Sequence, residues 1–174
     1  MTDPLTNAPT LSTERLTLRG PTRADLEAFT TFVTTNPQMA EQGETGSESD
    51  AWFAFLAGVG HWQWHGYGFF ILQTHDDPAP LGRVGILNHR GWDRPELAWH
   101  LYEGSTGKGY ATEAATCIRA WAAETHGLTR LVSYIHRSNS RSQAVATRLG
   151  AVDSGAVPVH APDATIWEHP EVAA

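Results

Sequence analysis

The sequence predicts an α+β fold built on a mixed sheet, an antiparallel meander followed by a βαβ crossover. Three observations carry this reading. Apolar segments at 67–72, 81–87 and 96–102 follow one another across turns rich in Gly, Pro and Asp, which suits consecutive antiparallel strands. A helical run then extends through Ala114, Ala115, Ile118, Trp121 and Ala122, and a β-branched segment at 130–135 follows it. Strand, helix and strand in that order form a crossover, expected to be right-handed with parallel strands.

Residues 11–19 alternate apolar and polar, with Leu16 and Leu18 on one face, and read as a half-buried first strand ended by Pro21 and Thr22. Thr22 or Asp25 caps the next helix, whose Leu26, Phe29, Phe32 and Val33 recur at helical spacing before Asn36-Pro37 stops it. Residues 42–50 are polar and contain glycine, the signature of a mobile loop. A second helix carries Trp52, Phe53, Phe55, Leu56 and Val59, weakened near its end by Gly58 and Gly60. Its tryptophans, with Trp62 and Trp64, are either core packing or an aromatic wall for a substrate. His61 and His65 stand four apart, a spacing that lets two imidazoles share a metal, but no third ligand lies near them and no metal site is assigned.

The segments at 67–72 and 81–87 pair as a hairpin around the breakers at 76–80, and the turn at 91–95 leads into 96–102. Gly127 fits the C-cap of the crossover helix. After 130–135, Asn139 fits an N-cap, Val145 and Leu149 line one helix face, and Gly150 ends that helix. Short segments at 151–159 and 164–167 read as a final hairpin.

The 174 residues suit a single domain, read as an N-terminal tail over 1–10 and one domain over 11–170. The lone Cys117 sits in an alanine-rich helix, where packing explains it, and one cysteine favours a reducing compartment. No apolar run reaches membrane-spanning length and residues 1–11 lack the features of a leader, so a cytoplasmic protein with no membrane partner is expected. A net charge of −7 without a basic block disfavours nucleic acid and mildly favours cationic substrates. A homodimer is admitted, although no residue pattern argues for one.

The chemistry is concentrated between the strand at 96–102 and the helix after it. A glycine-rich turn feeding a helix start offers unpartnered N–H groups and the positive end of the helix dipole to an anion. Gly107 and Gly109 let the main chain approach such a ligand closely. Spacing excludes two nucleotide motifs. A Walker A loop needs Ser or Thr after its Gly-Lys, where this chain has Gly109, and the dinucleotide fingerprint needs a third glycine where Thr112 stands.

The run from Thr106 to Ala111 instead resembles the acyl-CoA signature of the GNAT N-acetyltransferase superfamily, Q/R-x-x-G-x-G/A, with Thr106 departing from the first position. The longer Gly-Lys-Gly-Tyr-Ala-Thr-Glu-Ala of 107–114 is similar to the RimJ/RimL-type branch. A second likeness lies downstream, where Asn139-x-x-Ser142 precedes an apolar helix and Leu149-Gly150-Ala151, and a third in Arg15-Leu16-Thr17-Leu18-Arg19. Together these cover roughly residues 11–170.

The resemblance implies a GNAT-type fold whose strands at 96–102 and 130–135 splay apart with acetyl-CoA between them. The diphosphate is then expected on Thr106, Gly107, Lys108, Gly109, Tyr110, Ala111 and Thr112, and the pantetheine beside the backbone of Leu101. Asn139 is expected to hold the pantetheine amide. Many members place a tyrosine acid on the following helix; Ala146 occupies that place here, leaving Ser142 as the substitute acid. Both Asn139 and Ser142 have the alternative of simply capping their helix.

Glu96 is the leading base candidate, with a solvated strand-end carboxylate as the plain alternative. His100, two positions on along the same face, is the rival base, or else a packed histidine. The expected activity is transfer of acetyl from acetyl-CoA to a primary amine, on a protein or peptide N-terminus or a small molecule, by direct attack in a ternary complex. An α-amine demands little of a base, since keeping it neutral at pH 7 costs about 1 to 1.5 kcal/mol against about 4 to 5 for a lysine-like amine. The alternative from another class is a non-catalytic acyl-CoA-binding sensor or interaction module.

Overall fold

The structure is a computed structural model that describes residues 4–37 and 45–173. Eight strands form one sheet in the order β1-β2-β3-β4-β5-β6-β8-β7. They are β1 (Leu11–Ser12), β2 (Leu16–Arg19), β3 (Phe69–Thr74), β4 (Gly82–Leu87), β5 (Glu96–Leu101), β6 (Val132–His136), β7 (Val152–Asp153) and β8 (Ala164–Glu168). The described helices are α1 (Asp25–Thr35), α2 (Glu48–His65), α3 (Tyr110–His126) and α4 (Ser140–Arg148). Every strand pairing is antiparallel except β5 with β6. This is the expected meander followed by a strand-helix-strand unit.

Alternation along the strands divides the sheet into two faces. Leu16, Leu18, Phe70, Leu72, Val84, Ile86 and Leu97 pack with Ala114, Ala115, Ile118 and Ala122 of α3 into the larger core. A second cluster brings Phe29, Phe32 and Val33 of α1 against Ala51 and Phe55 of α2, with Tyr102 beneath them. Arg83 and His100 are direct cross-strand partners on that side of the sheet. Residues 4–8 run along the end of β2, where Leu5 N–H donates to Pro21 O and Thr6 is buried.

The fold corrects several boundaries. Residues 11–19 form two strands, because Thr13 N–H and Leu16 O close a turn that folds β1 back on β2. Neither Thr22 nor Asp25 is the cap of α1; that position is Ala24, with no side-chain bond to the helix. Asp25 instead lies in the first turn and its carboxylate accepts from Thr22 N–H, Thr22 Oγ1 and both terminal nitrogens of Arg19. Burial opposes that charge, but these donors hold the Asp25 carboxyl below its usual range and tie α1 to β2.

Within the expected loop at 42–50, residues 42–44 lie outside the described residues, while α2 already begins at Glu48 behind a capping box of Ser47 and Asp50. The second strand of the sequence reading sits later than expected, at β3, because α2 continues to His65 and Gly66 closes it. Gly127 caps α3, and β7 pairs with β8 as the final hairpin requires.

The feature that positions the site is a fork. Strand β5 is paired with β4 along its whole length, Glu96 to Leu101, whereas its pairing with β6 is confined to Glu96 and Val132. Side chains satisfy the backbone groups this parting frees. Ser133 Oγ donates to Leu97 O and accepts from His169 Nε2, while Tyr134 N–H donates to a Glu96 carboxylate oxygen at 3.3 Å.

Candidate active site

Two clefts open on either side of the fork. One, of about 370 Å³, is lined by Glu96 at the vertex, by Tyr134 and His136 of β6, and by His160 and Asp163 of the loop before β8. The other, of about 490 Å³, is lined by Leu101, Thr106, Gly107 and Ala111 on one wall and by Arg141, Ala144, Val145 and Arg148 of α4 on the other. Trp99, His100, Asn139 and Ser142 line both. These four residues form the neck between the clefts.

The glycine turn has the geometry its sequence requires. Gly107 and Gly109 take φ of 76° and 82°, values that side-chain-bearing residues adopt at a cost. Gly109 is the N-cap of α3, no side chain caps it, and Glu113 N–H is bonded back to Gly109 O. The N–H groups of 110–112 therefore have no helical partner and remain available to an anion. A Cβ on Gly107 would meet nothing within 4 Å, whereas one on Gly109 would meet Arg15 at 3.3 Å. Of the residues expected on the diphosphate, Thr106, Gly107 and Ala111 line the larger cleft; Lys108, Gly109, Tyr110 and Thr112 belong to the same turn but do not line it.

The turn is braced from behind. Arg15 donates through Nε to Glu113 at 2.7 Å and through Nη1 to Lys108 O at 3.0 Å, and its guanidinium lies 4.9 Å from the Tyr110 ring centre. Thr13 Oγ1 and Arg15 N–H also donate to the Glu113 carboxylate. Partial burial raises the Glu113 pKa, but these hydrogen bonds more than offset it and hold the carboxyl below its usual range.

At the neck, Trp99 Nε1 donates to Ser142 Oγ at 3.2 Å across the cleft, and Ser142 N–H donates to Asn139 Oδ1 at 2.9 Å. Asn139 thus does cap α4. Because Ser142 Oγ accepts from the indole, its own hydroxyl proton is left to be donated elsewhere. Ala146, the place the family resemblance assigned to the missing tyrosine, is fully buried in a cluster with Ile135 and Ala151. Position 146 faces the core, so it is not part of the cleft wall that Arg141, Ser142, Ala144, Val145 and Arg148 form on this helix.

The two base candidates differ. Glu96 is half-buried, and burial pushes its carboxyl up to about 7 despite the Tyr134 N–H it accepts. His100 is held well below the ordinary histidine value by burial and then by the Arg83 cation. Its Nδ1 accepts from Arg83 Nε at 3.0 Å, and its ring packs against Phe32 and Phe69.

The tryptophans of α2 divide: Trp62 is core with Nε1 donating to Phe69 O, Trp52 and Trp64 are exposed, and none lines either cleft. His61 is equally occupied, one nitrogen meeting Tyr67 O and the other accepting from Asn88 N–H, so it has no lone pair for a metal.

Sequence reasoning missed Arg141, Arg148, Asp163 and Arg83. The seven-residue spacing of Arg141 and Arg148 is two helical turns, a visible sign that they share one face. Asp163 and Arg83 carried no such signal.

The geometry has counterparts in known proteins. The family model described as Acetyltransferase (GNAT) domain matches residues 15–152. An acetyltransferase from Agrobacterium tumefaciens is 35% identical, with a TM-score of 0.86 over 94% of this chain and 95% of its own. RimL, a ribosomal α-N-protein acetyltransferase solved with coenzyme A, is 15% identical with a TM-score of 0.71, covering 95% of this chain and 100% of its own. The microcin self-immunity acetyltransferase MccE, solved with acetyl-CoA and AMP, is 18% identical with a TM-score of 0.70, covering 90% and 93%. The last two share the fold, and the first shares enough sequence over its whole length to agree with the family model. Forked sheet, open glycine turn and family match converge, and the chain belongs to the GNAT acetyltransferases.

Proposed function

We propose that this enzyme transfers the acetyl group of acetyl-CoA to a primary amine, by direct attack while both substrates are bound at the neck. The observation that carries the reading is the opposite character of the two clefts. Among the described residues the larger is lined by Arg141 and Arg148 and by no carboxylate, which suits the phosphates of CoA; the smaller is lined by Glu96 and Asp163 and by no Lys or Arg, which suits a cationic amine. Neither arginine pairs with a carboxylate among the described residues. RimL and MccE, whose structures hold CoA or acetyl-CoA, support the choice of acyl carrier.

In this reading the N–H groups of the 107–112 turn hold the diphosphate and the Leu101 main chain holds the pantetheine. Glu96 takes the amine proton, directly or through a water; with a value of about 7 it is matched to a base working near neutrality. The Ser142 hydroxyl, whose oxygen accepts from Trp99 Nε1, keeps a proton with which it donates a hydrogen bond to the departing thiolate in this reading. An α-amine on a protein, peptide or small molecule is the acceptor class this base serves most easily, because such an amine is already partly neutral. RimL, an α-N-protein acetyltransferase, supports that class and the RimJ/RimL-like branch. The single half-buried Cys117 fits a cytoplasmic location.

The test is thiol release from acetyl-CoA over a panel of α-amines, lysine-like amines and small amines. Release with an α-amine is expected, with kcat/KM falling as pH drops through about 7, since the active form of Glu96 is the carboxylate. Glu96→Gln retains an acceptor for Tyr134 N–H but no base; it should lower kcat/KM by about 10² or more and remove that limb, leaving only the titration of the amine. Binding of acetyl-CoA without thiol release on any amine would contradict the proposal.

A further inference from the structure

We infer that His100 serves the reaction as a neutral hydrogen-bond donor through Nε2–H, directed at the thioester oxygen, and that Arg83 holds it in that tautomer. The inference rests on the acetyl-transfer reading and deepens it. Its starting point is a cross-strand pair: Arg83 on β4 lies opposite His100 on β5, and Arg83 Nε donates to His100 Nδ1 at 3.0 Å. A guanidinium has donors only, so Nδ1 must supply the lone pair, and the single proton of the neutral ring sits on Nε2.

The surroundings enforce this state. Ring centres of Phe32 and Phe69 lie 5.3 and 5.4 Å from that of His100. The Arg83 guanidinium is clasped 3.9 Å from the Phe29 ring centre and 4.1 Å from that of Phe69, and no carboxylate pairs with it among the described residues. Among the described residues, α1 and β3 turn the phenyl rings of Phe32 and Phe69 to the imidazole, and from β4 it meets the Arg83 cation. Its own strand face carries Ala98 and, farther along, Glu96, while Tyr102 bears on Arg83 rather than on the imidazole. A proton added to His100 would lie beside a permanent positive charge in an apolar pocket. Both terms disfavour it.

The nitrogen left over has no partner among the described residues, and His100 lines both clefts. Its N–H is therefore presented at the neck, where an acyl group from one cleft would meet an amine from the other. When the amine nitrogen bonds to the thioester carbon, the carbonyl π pair moves onto oxygen, and Nε2–H stabilises that oxyanion without giving up its proton. Collapse restores the carbonyl and breaks the carbon–sulfur bond. The amine proton goes to Glu96, and the thiolate leaves as such, accepting a hydrogen bond from the Ser142 hydroxyl before solvent protonates it, so nothing is transferred at His100. Donation from Arg83 into the ring polarises it and strengthens the Nε2–H donor. This replaces the role of rival base expected from the sequence, because a ring with one nitrogen engaged and the other protonated has no site to receive a proton.

Nitrogen-15 NMR of histidine-labelled protein tests the tautomer without any substrate. The His100 signals should show bare Nδ1 and protonated Nε2, unchanged between about pH 5 and 8. Arg83→Met keeps an apolar filling between the two phenyl rings but removes the donor; His100 should then show mixed tautomers and begin to titrate. With an accepted amine, His100→Ala should lower kcat by about 10² while leaving the KM for acetyl-CoA within about threefold, and His100→Gln, which restores an N–H but cannot act as a base, should recover at least about tenfold of that loss. Titration of wild-type His100 in that range, an Nδ1–H tautomer, equal losses in the Gln and Ala variants, or a loss confined to the amine KM would overturn the inference. An NMR result as expected on a protein that acetylates no amine would instead count against the acetyl-transfer reading.

Discussion

The two clefts meet at four shared residues and differ in what lies beyond them. On one side the walls are α4, with its two arginines, and a helix start with unpartnered amides; on the other they are strand ends and a loop that supply carboxylates and imidazoles. One defect in a sheet, the early parting of β6 from β5, makes both openings at once. The difference teaches that one fork can serve two openings of opposite charge, and in the proposed reading that charge decides which substrate enters from which side. Each opening can then be altered without the other.

The largest effect should follow from filling the anion site. Gly107 has open space where its Cβ would stand, so Gly107→Glu projects a carboxylate into the larger cleft. Acetyl-CoA affinity, followed by calorimetry, should fall by at least about 10², whereas Gly107→Ala, which carries the backbone strain without the charge, should fall by less than about tenfold. Gly109 is the poorer position for this test, because a side chain there meets Arg15.

Next in size is the contrast of charges. Reversing Arg141 and Arg148 to Glu should raise the acetyl-CoA KM by about tenfold to 10², more at low salt, and leave the amine KM nearly unchanged. Asp163→Asn should do the reverse on a smaller scale, raising the KM of a cationic amine by about threefold to tenfold. If both changes moved the same KM, the division of labour between the clefts would be wrong.

The smallest effect belongs to the brace behind the turn. Arg15→Ala leaves Glu113 without its cation, but the pair is partly exposed and Thr13 and the Arg15 main chain still donate to the carboxylate. A twofold to fivefold loss in acetyl-CoA affinity, roughly, with a shift of a few degrees in Tm, is expected. A loss as large as that of Gly107→Glu would mean that the turn is not ordered without Arg15.

What was legible in the sequence is what short stretches decide. The order of strands and helices, the glycine turn ahead of α3, and the Asn139 cap of α4 all depend on neighbours within a few residues. Glu96 was legible as a strand-end carboxylate, but its elevation toward neutrality comes from burial at the fork, which no local pattern encodes. His100 shows the same limit: its sequence position left open a base or a packed histidine, and the strand register that sets Arg83 opposite it, with Nε donating to His100 Nδ1, is encoded by no local pattern. Arg15 and Glu113 lie 98 residues apart, and Asp163 reaches its cleft from an irregular loop. Aromatic content alone could not sort the tryptophans of α2, of which Trp62 is core while Trp52 and Trp64 are exposed.

The most direct measurement is a crystal structure of the protein with acetyl-CoA. The diphosphate should lie within hydrogen-bonding distance of main-chain N–H groups of the 107–112 turn, with Arg141 or Arg148 near its phosphates and the thioester at the neck between Trp99 and Ser142. Density for the diphosphate in the cleft of Glu96 and Asp163, or for the thioester away from the neck, would contradict the account.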